Sequence, residues 1–294
     1  AHVGMGVSLR SYNPLYFIDR IDFYGLVNPK PVGFTGYEAD YNLSMTGRIP
    51  VQTALRDLDY TLQINRRDIG RSATDVERGV SRVTLGVKAD YPLFLAELNY
   101  NDRFGPSATT GLGVPLKQPE VVIDPKIYTN GNLSVDAKII TGQYTAQSNP
   151  LSPSAVQQGV NISTSRLEEQ HAITYTFQPW QNADASLENT FVGRYYGTGG
   201  RTVQLGLKAG LTQRFNSTNT LSVTGSYLRN EGTSPFLFDA LSGQLLSAPI
   251  VVNLSTIPVQ DLSFGVSYQR DLFRSLENQT PTRLSLSLNR TPIS

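Results

Sequence analysis

The chain has 294 residues, with 25 Lys+Arg against 24 Asp+Glu for a net charge of +1, only 17% charged residues and no cysteine. That balance excludes a sequence-independent grip on nucleic acid, which needs clustered basic surface. The missing thiols exclude disulfides, Cys-based zinc or iron–sulfur sites and thiol redox chemistry.

No stretch approaches the ~20 consecutive apolar residues of an α-helical span. Instead, long segments carry an apolar residue at every second position, the period of a β-strand with one apolar and one wet face. In chain order they are predicted near 3–10, 15–25, 36–47, 57–66, 80–91, 93–101, 120–128, 132–144, 158–166, 169–178, 183–196, 201–215, 219–230, 249–256, 260–270 and 282–290. The fourth shows Leu58, Tyr60, Leu62 and Ile64, and the fifth sets Val83, Leu85, Val87 and Ala89 against Thr84, Gly86, Lys88 and Asp90. In 201–215, Val203, Leu205, Leu207, Ala209 and Leu211 alternate with Gln204, Gly206, Lys208 and Gly210. Near the end, Leu284, Leu286 and Leu288 alternate with Ser285, Ser287 and Asn289.

Tight connections are predicted at Asp90–Leu93, Tyr128–Asn132, Gly197–Gly200 and Asn216–Asn219, the second containing Asn-Gly, a strong hairpin signal. Long polar stretches occupy Arg66–Gly79, Asn101–Pro119, Ala146–Val160 and Asn230–Pro249. Short turns at one rim and long loops at the other are the pattern of transmembrane barrels. The expected fold is therefore all-β, a transmembrane antiparallel up-and-down β-barrel of about 12–16 strands in the bacterial outer membrane. It is read as a single outer-membrane domain over residues 1–294, or as a fragment of a larger barrel protein. Membrane lipids are its expected partners. A soluble β-sandwich stays open, because alternation alone does not tell a lipid-facing side from a buried core.

Aromatic residues cluster at strand ends: Tyr12, Tyr16, Phe23, Tyr24, Tyr37, Tyr91, Phe94, Tyr100, Trp180, Tyr195, Tyr196 and Phe215, as interfacial girdles would. The wet face carries charges of both signs, namely Glu38, Asp40, Asp59, Lys88, Asp90, Glu97, Asp136, Lys138, Glu188, Arg194 and Lys208. In a barrel these line the lumen and pair laterally, without strong ion selectivity. His171 belongs to an apolar strand face and reads as interfacial. Glu168 and Glu169 face opposite sides of a strand and read as loop or rim charge. With no convergent His, carboxylate or nucleophile constellation, neither a metal site, a cofactor nor an enzyme is expected.

Between two strands lies Gly232-Thr233-Ser234-Pro235-Phe236-Leu237-Phe238-Asp239. This segment, with its Gly232, Ser234, Pro235, Phe236, Phe238 and Asp239, resembles one in the C-terminal barrels of the LptD/OstA family, the outer-membrane translocons for lipopolysaccharide. The resemblance covers these eight residues and the general character of the flanking strands. It implies export of an envelope glycolipid, with a plug lipoprotein and a periplasmic bridge as partners. The chain departs from enterobacterial members in having no cysteine. A porin-type channel for small polar solutes and a structural barrel that tethers envelope layers are the other functions open to such a fold.

Overall fold

The computed structural model describes residues 3–10, 18–28, 38–49, 58–67, 79–105, 114–151, 160–241, 246–259, 262–272 and 282–290. The strands are β1 (Val3–Arg10), β2 (Arg20–Asn28), β3 (Glu38–Ile49), β4 (Leu58–Arg67), β5 (Val80–Asp90), β6 (Phe94–Phe104), β7 (Leu116–Pro125), β8 (Tyr128–Asn130) and β9 (Leu133–Gln147). They continue with β10 (Asn161–Phe177), β11 (Ala183–Tyr196), β12 (Arg201–Arg214), β13 (Asn219–Gly232), β14 (Leu246–Ser247), β15 (Pro249–Val259), β16 (Leu262–Asp271) and β17 (Thr282–Arg290). Each pairs antiparallel with its neighbour in one up-and-down sheet. The all-β, antiparallel up-and-down class expected from the sequence is the class observed. Because β8 shares a lane with β7 along β9, and β14 shares one with β15 along β13, the seventeen strands less these two fill fifteen lanes. Among the described pairings β1 and β17 each have one neighbour.

Register keeps the two faces chemically distinct. On one face Tyr60 stands opposite Val87, Leu62 opposite Leu85, Tyr175 opposite Leu187, Leu207 opposite Tyr227 and Leu254 opposite Val266. On the other, Asp59 stands opposite Lys88 and Lys88 opposite Glu97. A slip of one residue would exchange the whole set, so this consistency from strand to strand fixes the pairing. Among the described residues no second layer covers the apolar face: Leu187 is 50% exposed, Leu207 44% and Leu286 67%. A soluble sandwich would bury this face against a second sheet about 10 Å away, and no such sheet is present among the described residues.

Two local expectations are corrected. The segments expected at 158–166 and 169–178 are one strand, β10, seventeen residues long. The charges around residue 167 suggested a rim, yet Arg166 and Glu168 are buried on the polar face and do not interrupt the ladder. The tight Gly197–Gly200 connection lies at the same rim as the long 148–160 and 233–245 connections, not with the other short turns. Brevity there has a steric reason. A Cβ on Gly200 would come within 3.2 Å of the Thr233 carbonyl oxygen, because the segment after β13 passes beside this turn, and one on Gly197 would come within 2.5 Å of Ser165 Oγ on β10.

Gly232 starts that segment with φ +92°, a left-handed conformation that side chains disfavour, and an added Cβ would run into the Arg201 carbonyl oxygen. Gly232→Ala should cost roughly 1–3 kcal/mol in local strain. It should show as faster protease cleavage within Thr233–Asp239 while the strands resist.

Candidate functional site

The segment after β13 does not run outward as an exposed loop. Thr233 N–H donates to the Arg201 carbonyl at 3.0 Å, and the chain then crosses the polar faces of β12, β11 and β10 to reach the end of β9. There Phe236 forms an isolated antiparallel bridge with Ser148, and Asn149 N–H donates to the Pro235 carbonyl at 2.8 Å. The Asn149 side-chain amide donates to the Ser234 carbonyl at 2.9 Å, while Ser234 Oγ accepts from Phe236 N–H at 3.0 Å. A single 3-10 turn, Leu237–Asp239, ends the crossing. To bridge five lanes in so few residues, the polar face must be concave.

Apolar packing and a charge network anchor the segment. Phe236 is 0% exposed and lies in a cluster with Tyr144, Ala146 and Tyr196, against which Ile162 packs. Its ring is edge-on to Tyr144 at 6.2 Å and to Tyr196 at 5.8 Å, and stacks on Phe238 at 5.1 Å. Phe236→Ala should therefore cost about 3–5 kcal/mol of local stability. Thermal loss of the folded species and hydrogen exchange across 233–241 would measure it.

Beside the rings, Arg166 donates to Asp239 through Nε at 2.6 Å and Nη2 at 3.0 Å, a bidentate pair. Arg194 Nε reaches Asp239 at 3.5 Å and Glu168 at 2.5 Å, and Tyr196 OH donates to Asp239 at 3.1 Å. Arg166 also donates to Glu168, whose other oxygen accepts from the Gln170 amide. The Arg166 guanidinium lies 5.4 Å from the Tyr144 ring centre and 5.8 Å from that of Phe238. Two guanidinium groups thus face two carboxylates, and the local charge sums to zero, as burial requires.

A third buried carboxylate adjoins this network. Glu120 accepts from Lys117 Nζ at 2.7 Å, from the Asn99 amide at 3.1 Å and from Tyr144 OH. Its orientation depends on a register shift in β7 between Lys117 and Glu120. Gly142 stands opposite the shift, where a Cβ would strike the Pro119 backbone.

The structure distributes the sequence-predicted residues over several levels of the polar face. Arg194 joins the central network. Away from it, Lys138 pairs with Asp124 at 3.3 Å, and Asp136 shares with them a cavity of about 390 Å³ also lined by Gln170 and Thr190. Toward the tight-turn rim, Lys208 and Glu188 are 3.9 Å apart, and a cavity of about 890 Å³ is lined by Asp184, Ser186, Lys208, Thr212 and Thr224. On β5 and β6, Lys88 pairs with Glu97 at 3.9 Å, and Asp90 pairs with Lys126. Asp59 is 3.7 Å from Arg48; Asp40 and Glu38 lie in β3.

Glu168, read from sequence as rim charge, is 3% exposed at the centre of the network, which is a correction. Its neighbour Glu169 faces the opposite side and accepts from Tyr195 OH at 2.8 Å. Tyr196, read as a girdle residue, points instead into the cluster, while Phe94, Trp180 and Phe215 are exposed at the tight-turn rim. Tyr12, Tyr16 and Tyr37 lie outside the described residues, as do parts of the long loops at 68–78, 106–113, 152–159 and 242–245. His171 stacks on Phe191 at 5.0 Å on the apolar face.

No protein-family model matches the chain, and no curated protein does. Among solved structures, OmpT of Vibrio cholerae shares 9% identity over 91% of this chain and 88% of its own, with a TM-score of 0.29. The outer membrane channel DcaP of Acinetobacter baumannii shares 12% identity over 90% of this chain and 93% of its own, with a TM-score of 0.32. Superposition at that level defines neither a common fold nor a common function. The exclusion of enzymatic activity drawn from the sequence is withdrawn. Its ground was that no His, carboxylate or nucleophile constellation converges, and the carboxylate part of that ground does not hold. In the structure Glu120, Glu168 and Asp239 converge with two guanidinium groups and two phenols.

Proposed function

We propose that the chain is an outer-membrane β-barrel conduit and, in the finer reading, that it serves LptD-like export or assembly of envelope glycolipid. One observation carries the coarser part: a single sheet whose uncovered face is apolar and whose opposite face is polar, charged and concave. In hydrocarbon a closed sheet satisfies every backbone N–H and C=O, and the polar face becomes a hydrated path. The finer part is supported by the Gly232–Asp239 segment, which resembles that family and here packs against the polar face of β9, β10 and β11. Membrane lipids are the proposed surroundings, and a plug lipoprotein and periplasmic bridge the proposed partners.

Heat-modifiable gel migration and dependence on detergent should identify the barrel; a chain that stays folded and dispersed in plain buffer would refute it. Depletion in the source cell should then lower surface glycolipid. Unchanged surface lipid, together with steady conductance of the purified chain in planar bilayers, would assign the porin role instead.

A further inference from the structure

We infer that Arg166 and Arg194 form an anion-binding site inside the barrel, that Asp239 occupies it as a built-in ligand, and that an amphiphile bearing a phosphate or carboxylate head displaces the Gly232–Asp239 segment to enter. This rests on the conduit reading and names what the interior recognises.

The argument turns on which ligands are fixed and which are not. Glu168 belongs to β10, and its Cα stands opposite that of Arg194 on β11, so the sheet itself holds Glu168 between the two guanidinium groups. Gln170, two residues along the same strand, fixes its other oxygen. Asp239 alone arrives from outside the ladder, carried by a 3-10 turn that is tethered to the sheet through the isolated Phe236–Ser148 bridge before it. With Asp239 withdrawn, Arg166, Arg194 and Glu168 leave one net positive charge. The vacated donors, Arg166 Nε and Nη2 and Tyr196 OH, converge on the place of its two oxygens. A guanidinium fork with an added hydroxyl suits a phosphate or carboxylate.

The neighbouring surface determines the rest of the ligand. Where Phe236 now sits, its removal opens a pocket lined by Tyr144, Ala146, Ile162 and Tyr196, directly beside the guanidinium groups. The segment is thus a peptide copy of an amphiphile: two aromatic rings joined to one carboxylate, seated in an apolar pocket beside a cationic one. A free phosphate would use the second part alone, whereas a lipid headgroup with its chain would use both.

The displacement makes the site testable by competition. An occupied site reduces apparent affinity by the fraction of molecules in which it is open. The chain lacks cysteine, so Ser148→Cys with Phe236→Cys introduces a single pair across an existing antiparallel bridge, a spacing that suits a disulfide. In folded, detergent-solubilised protein, inorganic phosphate and dihexanoyl phosphatidic acid would each be titrated by calorimetry. Both should bind the reduced double variant at least tenfold more tightly than its oxidised form. Asp239→Asn should bind at least tenfold more tightly than the unsubstituted chain, and adding Arg166→Gln should abolish the gain. Phosphatidic acid binding tenfold tighter than phosphate identifies the headgroup-and-chain ligand; equal binding identifies the free anion and overturns the amphiphile assignment. Equal affinity of oxidised and reduced forms, with Asp239→Asn no tighter than the parent, overturns the site itself. Binding is read in detergent, so a chain that binds but forms no conduit fails the function proposed above and not this inference.

Discussion

Leu207→Arg is expected to destabilise the membrane-inserted protein by about 2–4 kcal/mol, the cost of placing a cation at mid-height on a lipid-facing strand. Leu207 lies in the middle of β12, opposite Tyr227, on the face that none of the described residues covers. Thr224→Arg, on the adjoining strand β13 but lining the 890 Å³ polar cavity, should cost far less, because the new charge meets water and Asp184 shares that cavity. Urea unfolding in bilayers of defined thickness, followed by gel migration, measures both variants. Equal costs at the two positions would mean that the faces do not meet different solvents. The contrast tests the assignment on which the conduit reading stands, since either substitution in a soluble sandwich would be judged by core packing instead.

The second large effect is expected at the central network. Arg166→Met removes the bidentate partner of Asp239 and one of the two guanidinium partners of Glu168, leaving two buried carboxylates to share Arg194 as their cation. Breaking a buried pair by deleting one partner costs roughly 3–5 kcal/mol, whereas replacing both partners with apolar groups of similar volume is often neutral. Arg166→Met should therefore free the 233–241 segment, with faster proteolysis there and a lower melting temperature. The double variant Arg166→Met, Asp239→Leu should recover much of the loss. Hydrogen exchange along the segment separates this from global unfolding: the single variant should open 233–241 while β11 and β12 stay protected. If the double variant is no better than the single, the loss came from the contact of the Arg166 guanidinium with the Tyr144 ring and not from its ion pairs.

Strand existence was written in the sequence wherever alternation ran unbroken. The strands expected at 183–196 and 282–290 coincide with β11 and β17, because two-residue periodicity is a local property that each strand satisfies with its own side chains. Alternation became misleading where charge entered it. The break expected between 166 and 169 falls beside Glu168, a charge that suits a loop or rim, but partners on the same and the neighbouring strand make its burial tolerable. The same cause hid Tyr196, whose end-of-strand position suits either a girdle or a core.

What the amino-acid sequence determined by itself was the element type, the two faces and the positions of most lateral charges, since these follow from parity along one strand. Only the tertiary structure decided what those faces enclose. Arg166 and Asp239 are 73 residues apart, and no local pattern predicts that one will hold the other. Their meeting depends on Gly232 turning the chain inward, on the Gly197–Gly200 turn leaving room for it, and on β9 offering Ser148 and Asn149 as its landing place. Each requirement is met by a different lane of the sheet. A loop has no period of its own, so its course is set by the surface that receives it.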